Sequence, residues 1–380
     1  MTALDPVPLH VTLDVTAVPA RPAGAGRYIL DLAVHLANRN DLSLVLIARS
    51  NDASRWNTLV PAARLEAGAP APRPLRLAWE QRAMPRLLRR IHPDVHHAPH
   101  YTMPAGKLPP KVVTLHDLTV FDHPEWHQRS KVALFRRAIK AAAEEAAALI
   151  CVSVATADRL KELVAPTAPV HVVYHGVDHD RFRLSADAGS DVDVIEALGI
   201  RPPYVAFVGT VEPRKDVPAL VRAFDLVCRA HPALQLVIAG AAGWGESELT
   251  VAIRHMREPG RVVRLGYVSD RAVPAILRQA TAVAYPSRAE GFGLPVLEAL
   301  ACGAPVVTTS GSAMEEVADG AALLVDPGDE KALAGALDML ARGDVALGSR
   351  RTRGLAVARR FNWDATAAGH VAAYRSAISH

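Results

Sequence analysis

The sequence predicts an α/β protein built from two Rossmann-like domains, each a parallel sheet with helices on both faces. Segments of strand type alternate with segments of helix type along almost all of the 380 residues. The strand segments are nearly continuous apolar runs, as a sheet covered on both faces requires. The alternation stops once, in a polar run between Asp178 and Arg201. Two consecutive sheets joined by a hinge predict a ligand cleft between them, lined by the carboxyl ends of the strands.

The domain limits follow from that break in the pattern. We predict a first domain over residues 1–183, a linker over 184–200, a second domain over 201–361 and a last helix over 362–380. In the first domain, the strand at 10–15 is followed by a glycine-rich loop and a helix from Tyr28 to Ala37. The predicted strands are 10–15, 42–48, 94–98, 111–117, 148–153 and 170–175, then 203–209, 234–240, 261–266, 281–287, 304–309 and 321–326.

Composition narrows the class of protein. Lys and Arg number 43 against 39 Asp and Glu, and a net charge of +4 is too weak a bias to argue for nucleic-acid binding. We predict no signal peptide, and no apolar run approaches the roughly 20 residues of a membrane-spanning helix. Cys151, Cys228 and Cys302 lie in apolar surroundings without metal-ligand spacing, which indicates reduced thiols. We therefore expect a cytoplasmic protein.

The most informative stretch runs from Pro286 to Thr309. A short apolar strand leads into the loop Glu290-Gly291-Phe292-Gly293, and Leu294 then opens a helix. Pro295 suits the first turn, where its missing N–H would have no intrahelical partner. The amides of Phe292, Gly293 and Leu294 would lie at a helix N-terminus, a favourable place for a phosphate.

Two carboxylates accompany this phosphate-seeking helix start. Glu290 precedes the glycine loop, and Glu298 lies about one turn into the helix. Carboxylates accept hydrogen bonds from vicinal hydroxyls, so their presence indicates a phosphate that carries sugars. A plain strand-to-helix turn with solvated acids is the simpler alternative.

A pair of cations follows the first strand of the second domain. That strand ends at Gly209-Thr210, and Arg214-Lys215 comes just before the next helix. Arginine offers a planar fork to phosphate oxygens and lysine a compact charge. The pair predicts a diphosphate site, with a solvated cation pair as the alternative.

Two further candidates end strands of the first domain. Gly24 and Gly26, between the first strand and first helix, would let the backbone approach a phosphate. His116 ends the strand 111–117 and would hydrogen-bond a sugar hydroxyl or stabilise developing charge. Structural turns and a backbone-satisfied core histidine are the respective alternatives.

No metal site is predicted. Asp191 and Asp193 resemble a metal-binding acid pair but lie in the expected linker, with no strand before them. His96 and His97 are adjacent on a strand and must face opposite ways, and no carboxylate completes a set with His100.

Taken together, these motifs resemble glycosyltransferase family 4, the retaining transferases with two facing Rossmann-like domains (the B-type fold). Glu290 and Glu298 stand with seven residues between them, as in the signature of that family. Arg214-Lys215 matches its diphosphate-binding pair, Gly24 its N-terminal glycine loop and His116 its N-domain histidine. The run HGVDHDRF at 175–182 resembles its NGVD element, with His175 in place of asparagine. The resemblance is greatest to bacterial GDP-mannose-dependent mannosyltransferases.

The resemblance implies a role for each residue. Glu298 would hold the nucleotide ribose and Glu290 the hydroxyls of the transferred sugar. Arg214 and Lys215 would neutralise the leaving diphosphate together with Gly24, and the helix amides would bind donor sugar or phosphate. His116 would contact a hydroxyl near the reacting carbon. Retention by front-side attack is implied, no cofactor or metal is expected, and the last helix would cross back to the first domain.

The acceptor would bind the first domain and would be a glycan or a lipid-linked molecule. Segments 81–92 and 129–142 are basic with apolar residues interleaved, so one of them could lie on an anionic membrane at the inner face of the cell membrane. Solvated helix faces are the alternative. The expected partners are thus a nucleotide sugar and such an acceptor, with no nucleic acid.

The sequence therefore predicts a retaining hexosyltransferase, in first place a mannosyltransferase that uses GDP-mannose. UDP-glucose or UDP-GlcNAc as donor, a sugar-nucleotide epimerase, and a non-catalytic nucleotide-sugar-binding protein stay open as alternatives. A phosphorylase is disfavoured because no lysine is placed to hold a pyridoxal cofactor. A dinucleotide-dependent oxidoreductase would need G-x-G-x-x-G, and GAGRYI at 24–29 lacks the third glycine.

Overall fold

The computed structural model describes residues 8–22, 24–184, 188–343 and 346–379. The chain divides into two compact units. The first contains the chain up to Gly176 together with the segment from Trp363 onward, and the second runs from Val177 to Asn362. Each unit has its own parallel sheet, so the predicted fold class is confirmed.

The described part of the first unit contains one sheet of seven parallel strands, in the order β3-β2-β1-β4-β5-β6-β7. The order reverses beside β1, as in dinucleotide-binding folds. The elements are β1 Leu9–Asp14, α1 Ala25–Ala37, β2 Leu42–Arg49, α2 Ala53–Leu59, β3 Arg64–Ala69, α3 Arg73–Arg82, α4 Met84–Ile91, β4 Val95–Ala98, β5 Lys111–Leu115, α5 Thr119–Asp122, α6 Arg129–Glu145, β6 Ala148–Cys151, α7 Val154–Val164 and β7 Val170–Val172.

The described part of the second unit contains six parallel strands in the equivalent order, β10-β9-β8-β11-β12-β13. Here the order reverses beside β8, which places the ends of β8 and β11 at the switch point. The elements are α8 Ala188–Ala197, β8 Tyr204–Val208, α9 Val217–Val227, β9 Gln235–Ala239, α10 Glu246–Arg254, β10 Val262–Gly266, α11 Ala272–Gln279, β11 Ala282–Tyr285, α12 Leu294–Ala301, β12 Val306–Thr309, α13 Ala313–Ala318, β13 Leu323–Val325, α14 Glu330–Ala341 and α15 Ala346–Ala358.

The last helix, α16 (Trp363–Ser379), belongs to the first unit. Trp363, Val371 and Tyr374 are buried in the same apolar cluster as Leu13 and Leu32. Each such side chain contributes roughly 1.5–3 kcal/mol when it is fully removed from water. The end of the chain therefore completes the core of the unit in which the chain begins.

Two details of the sequence prediction differ from the structure. Strand β3, Arg64–Ala69, was not predicted, because it is an edge strand whose residues are largely half-buried or exposed and lack an apolar run. The predicted linker, 184–200, lies within the second unit and contains helix α8, and the boundary between units falls after Gly176. Helix α8 begins Ala-Gly-Ser-Asp, residue types that are also common in turns, so no helical period stands out in its sequence.

The structure also bears on membrane-spanning helices and on the cysteines. Among the described helices, none combines the length and apolar character that crossing a bilayer requires. Cys151, Cys228 and Cys302 are buried free thiols, as predicted.

Candidate functional site

The centre of the second unit's candidate site is an ion pair between two loops at the carboxyl edge of its sheet. Arg214 lies in the 3₁₀ turn Pro213–Lys215, which follows β8, and Glu290 lies in the loop after β11. Nη1 of Arg214 contacts Oε1 of Glu290, and its Nε is 3.0 Å from Oε2 of Glu212. Burial alone would lower the pKa of Arg214, but the carboxylates of Glu290 and Glu212 outweigh it and raise that pKa. The guanidinium stays charged.

Glu290 is held in place from its own strand as well. Its Oε1 lies 3.4 Å from the Tyr285 hydroxyl and 3.3 Å from Oγ of Ser287. Its side chain is only 12% exposed. The carboxylate is thus oriented by one cation and two hydroxyls.

Lys215 provides a second, deeper cation. Its side chain is buried, with Nζ 5.8 Å from the centroid of the Tyr285 ring. Burial and the charge of Arg214 lower the pKa of Lys215, while Glu290 and Glu212 oppose that shift. A Cβ on Gly209 would lie 2.8 Å from this Nζ. Gly209 therefore makes the space in which the ammonium sits.

A second ion pair joins the same two loops, but here the cation is on the loop after β11 and the anion is on the loop after β8. Nε of Arg288 is 2.6 Å from Oδ2 of Asp216, and the Arg288 amide donates to the Arg214 carbonyl at 2.7 Å. Asp216 is buried and Arg288 is about half exposed, at 48%. In these two ion pairs each loop contributes one cation and one anion, and the pairs fix the spacing between the loops.

The glycine loop and helix α12 lie beside this pair. Gly293 is the N-cap, with φ of 99°, and a Cβ there would approach the side chain of Met314 to 2.7 Å. Pro295 occupies the first turn, and no described side chain caps the helix. The amides at this end and the helix dipole favour an anion. Glu298, one turn in, is 8% exposed.

The other predicted residues of the second unit have backbone positions at the same sheet edge. Gly209 and Thr210 continue β8, and the Gly209 amide donates to the Ala239 carbonyl at 2.8 Å. Gly240 and Gly243 lie close against this segment, since a Cβ on either would approach a carbonyl oxygen to 2.0 Å or 2.3 Å. Tight backbone packing thus defines this edge of the sheet.

The two glycines of the first unit differ in environment. Gly24 is exposed, has φ of 49° and caps α1. Gly26 is buried, and a Cβ there would lie 3.1 Å from Pro19 and from Pro22. Packing against two prolines is therefore a sufficient reason for Gly26, whereas Gly24 presents its backbone to solvent.

His116 follows β5 and is almost buried, 9% exposed. Its Nε2 lies 2.8 Å from the Pro99 carbonyl oxygen, which only accepts, so Nε2 carries the proton. Burial lowers the pKa of His116, and the Pro99 bond and Asp117 offset this only in part. The ring is therefore a neutral imidazole whose Nδ1 accepts a hydrogen bond, which suits a hydroxyl donor.

The acid pair and the histidine cluster that were weighed as metal ligands have other partners in the structure. Among the described residues, no group of three or more His, Cys, Asp or Glu is arranged to hold a metal ion. Asp191 makes a two-pronged ion pair with Arg278 at 2.6 Å, and it lies in helix α8 rather than in a linker. His96 contacts Thr12, whereas His97 contacts Thr114 on β5.

The structure brings Arg214, Lys215, Gly209 and Glu290 together in the second unit, with the start of α12 beside them. Gly24 and His116 belong to the first unit. The sequence analysis missed four contributors: Tyr285, Ser287, Glu212 and Arg288. Tyr285 and Ser287 could have been found, because they alternate at the end of a predicted strand just before Glu290. The pairing of Arg288 with Asp216 has no sequence signal.

Known protein families match both units. The model described as Glycosyltransferase Family 4 matches residues 22–181. The model described as Glycosyl transferases group 1 matches residues 194–352.

Among curated proteins, the chain is 26% identical over 369 residues to O-antigen chain mannosyltransferase B of Escherichia coli, covering 93% of this chain and 96% of that protein. It is 36% identical over 248 residues to D-inositol 3-phosphate glycosyltransferase of Actinosynnema mirum, which covers 61% of this chain and 58% of that protein.

Solved structures share the fold. Sucrose-phosphate synthase of Thermosynechococcus elongatus has a TM-score of 0.79 at 20% identity, covering 98% of this chain and 99% of that chain. HepE of Anabaena in complex with UDP-glucose has a TM-score of 0.75 at 20% identity, covering 97% and 100%.

Proposed function

Because the chain belongs to the family 4 glycosyltransferases and has their B-type fold, we propose that it transfers mannose from GDP-mannose, with retention, to a glycan or glycolipid acceptor. Mannose is the sugar named for the E. coli relative that matches over nearly its whole length. UDP-glucose is the second candidate donor, because the structurally similar HepE binds it.

The observation that carries the proposal is the contact between Arg214 and Glu290. A diphosphate needs cations, and a sugar needs hydrogen-bond acceptors. Arg214 and Glu290 supply one group of each kind, and they contact each other beside the N-terminus of helix α12, which favours an anion. A ligand with a phosphate joined to a sugar satisfies both groups at once.

The charges suit the departure of a nucleoside diphosphate. As the bond to the sugar breaks, negative charge grows on the phosphate oxygen, and preorganised cations stabilise it. Nε and Nη1 of Arg214 face protein oxygens, so we assign Nη2 to a phosphate oxygen. Lys215 supplies the second charge, from a buried position where water screens it little. No metal is then needed.

The carboxylates and the first unit hold the remaining parts of the donor. We assign Glu290 to hydroxyls of the transferred sugar and Glu298 to the ribose. Gly24 contacts the diphosphate through its exposed backbone. Nδ1 of His116 accepts a hydrogen bond from a sugar hydroxyl near the reacting carbon. No side chain here acts as a covalent nucleophile, and the acceptor attacks from the face that the diphosphate leaves.

The first test is donor binding and turnover. The purified protein is titrated by calorimetry with GDP, UDP and their mannose and glucose conjugates, and release of the nucleoside diphosphate is then followed. We expect GDP and GDP-mannose to bind most tightly. Tighter binding of UDP-glucose would select the second donor, and no binding of any nucleoside diphosphate would refute the proposal.

The second test removes the sugar-side carboxylate. We expect Glu290→Ala to abolish transfer while the fold remains intact, and Glu290→Gln to reduce kcat/KM by about 100-fold or more, as losing one preorganised group does elsewhere. Glu330→Gln, which removes a carboxylate from an exposed ion pair with Arg222 outside the site, is the matched control and should retain most activity. Full activity in Glu290→Ala would exclude the assigned role.

A further inference from the structure

A cationic cavity of about 330 Å³ opens at the carboxyl edge of the first unit's sheet. Thr16, Arg49 and His100 line it from the segments that end or follow β1, β2 and β4. The order of this sheet reverses between β1 and β4. Crevices outside such a switch point are where α/β sheets bind ligands. The proposed roles of Arg214 and Glu290 make no use of this cavity.

Three cations from two helices converge on the cavity. Arg73 and Arg76 lie on one face of α3, three residues apart, and Lys131 approaches from α6. Burial and the charge of Arg76 lower the pKa of Arg73. The two guanidinium groups are thus held together despite their repulsion, a cost that a bound anion would relieve.

These cations lack the carboxylate partners that several other arginines of this unit have. In the described ranges, no carboxylate oxygen lies within 4.0 Å of the charged nitrogens of Arg73, Arg76 or Lys131. Arg49, which also lines the cavity, is paired with Asp52. The other paired arginines in the described part of the unit are Arg39, Arg64, Arg90, Arg159 and Arg375.

Two buried acids near the cavity reduce this positive charge without cancelling it. Burial, and then the charge of Asp14, raise the pKa of Glu80 to about 7. Burial also raises the pKa of Asp14. Arg76 interacts with both acids, which leaves Arg73 and Lys131 uncompensated. The cavity therefore has a net positive charge near neutral pH.

The walls hold the cations in place and add hydroxyl and apolar surface. The guanidinium of Arg73 lies 5.5 Å from the centroid of the Phe135 ring. Nη1 of Arg76 lies 3.3 Å from Oγ1 of Thr16. Leu77 and Pro19 supply apolar contacts. Such a lining fits a small anionic group attached to a less polar body.

We infer that this cavity binds the phosphate group of a phosphorylated acceptor, an inference that rests on the proposed glycosyl transfer for the acceptor's role. Several convergent cations match a doubly charged phosphate better than a single carboxylate. His100 lines the cavity, and its ring lies 6.0 Å from the ring of His116. The anchored acceptor thus lies beside the residue assigned to the reacting sugar.

The test is phosphate binding by the full chain, measured apart from the donor site. Glycerol 3-phosphate, phosphatidic acid vesicles, whose headgroup is a phosphomonoester, and phosphatidylcholine vesicles are the probes, with calorimetry and co-sedimentation as readouts. We expect Arg73→Gln/Arg76→Gln to weaken phosphate binding at least tenfold. Arg214→Gln, which alters only the donor site, should change it less than twofold. Glycerol 3-phosphate binding indicates a soluble phosphate ester, and binding to the anionic vesicles alone indicates a lipid phosphate.

Controls separate this cavity from general charge and from the proposed function. Arg82→Gln/Arg86→Gln removes the same two charges from exposed positions outside the cavity and should leave binding unchanged. Lys131→Gln tests the cavity from its other helix and should weaken binding several-fold. The inference fails if no phosphate probe binds, if both arginine double variants lose binding equally, or if only Arg214→Gln loses it. Unchanged nucleotide binding in Arg73→Gln/Arg76→Gln shows that the donor site is intact.

Discussion

The hydroxyl of Tyr28, in the first helix, lies 2.7 Å from Nε2 of His370, in the last. Nδ1 of His370 lies 2.8 Å from the Thr366 carbonyl oxygen, which only accepts, so Nδ1 carries the proton. In the neutral ring Nε2 then accepts, and Tyr28 must donate. This bond joins the beginning and end of the chain within one core.

The same reasoning assigns the next bonds. Since Tyr28 donates to His370, its oxygen accepts from the Thr114 hydroxyl, 3.0 Å away. Thr114 then accepts from Nε2 of His97 at 2.8 Å, and Nδ1 of His97 accepts from Tyr374 at 2.8 Å. One proton arrangement satisfies the whole chain of bonds, and it requires both histidines to be neutral. Because each donor and acceptor in this buried network depends on the next, we expect it to tolerate few substitutions.

Replacement of Tyr28 by Phe should destabilise the first unit. It leaves Nε2 of His370 without a donor and the hydroxyl proton of Thr114 without an acceptor in a buried setting, at a cost of about 1–3 kcal/mol per unsatisfied group. Urea unfolding measures the change. Tyr267→Phe, at a position 59% exposed, is the control and should shift stability by less than about 0.5 kcal/mol. Equal effects of the two variants would contradict the network.

Stability should fall as the pH drops below about 6.5. Burial lowers the pKa of His100 to about 3 and of His370 to about 4 from the ordinary 6.5, and it also lowers those of His96, His97, His116 and His175. The unfolded chain therefore binds more protons in this range. Each imidazole that stays neutral in the folded protein lowers the free energy of unfolding by up to about 1.4 kcal/mol per pH unit, until the pH reaches its folded-state pKa.

Glu80 acts in the opposite sense, because its pKa is raised to about 7 from 4.5. The stability that Glu80 contributes is therefore lost as the pH rises from 4.5 to about 7. Fewer acids than imidazoles have shifted pKa values in this sense, so the imidazoles dominate. We therefore expect the free energy of unfolding, measured in urea at pH 7.5, 6 and 5, to decrease steadily. A flat or rising profile toward pH 5 would show that the imidazoles are not buried neutral.

The ion pair between Arg288 and Asp216 should couple the two loops that carry Arg214 and Glu290. We expect Arg288→Gln and Asp216→Asn each to weaken nucleoside diphosphate binding several-fold, because Arg214 loses its fixed place. In a double-mutant cycle the coupling should be about 0.5–1 kcal/mol, since Arg288 is half exposed. Additive effects of the two substitutions would rule out the coupling. Arg222→Gln, which breaks an exposed pair with Glu330, is the control.

Gly209→Ala should impair diphosphate binding and also lower stability. The new Cβ would lie 2.8 Å from Nζ of Lys215, which must move aside, and the φ of +156° at this position strains any residue other than glycine. The displaced ammonium then misses the diphosphate, and we expect Kd for nucleoside diphosphates to rise about tenfold. Gly335→Ala, in helix α14 with open space around its Cα, should bind normally. Unchanged affinity in Gly209→Ala would mean that Lys215 does not contact the diphosphate.

Strand β3 and helix α8 lack the apolar periodicity from which the other elements are predicted. Strand β3 pairs at the sheet edge and is half exposed, so no apolar run marks it. Helix α8 was missed within a polar segment, although Asp191 on it makes an ion pair with Arg278 that is nearly out of water. Such a pair forms only once α8 packs against α11, and no local pattern encodes it.

By itself the sequence determined the α/β class, the two sheets and the identity of the anion-seeking residues. Apolar runs, glycines and a helix-opening proline act within a few residues, so Arg214, Lys215, Glu290 and the start of α12 could be selected locally. The tertiary structure decided which of them touch. The contact of Arg214 with Glu290, the bond of Tyr28 to His370 and the cavity around Arg73 each join elements far apart in the chain. Strand order and helix docking create these neighbours, and both depend on burial of the whole core rather than on any local signal.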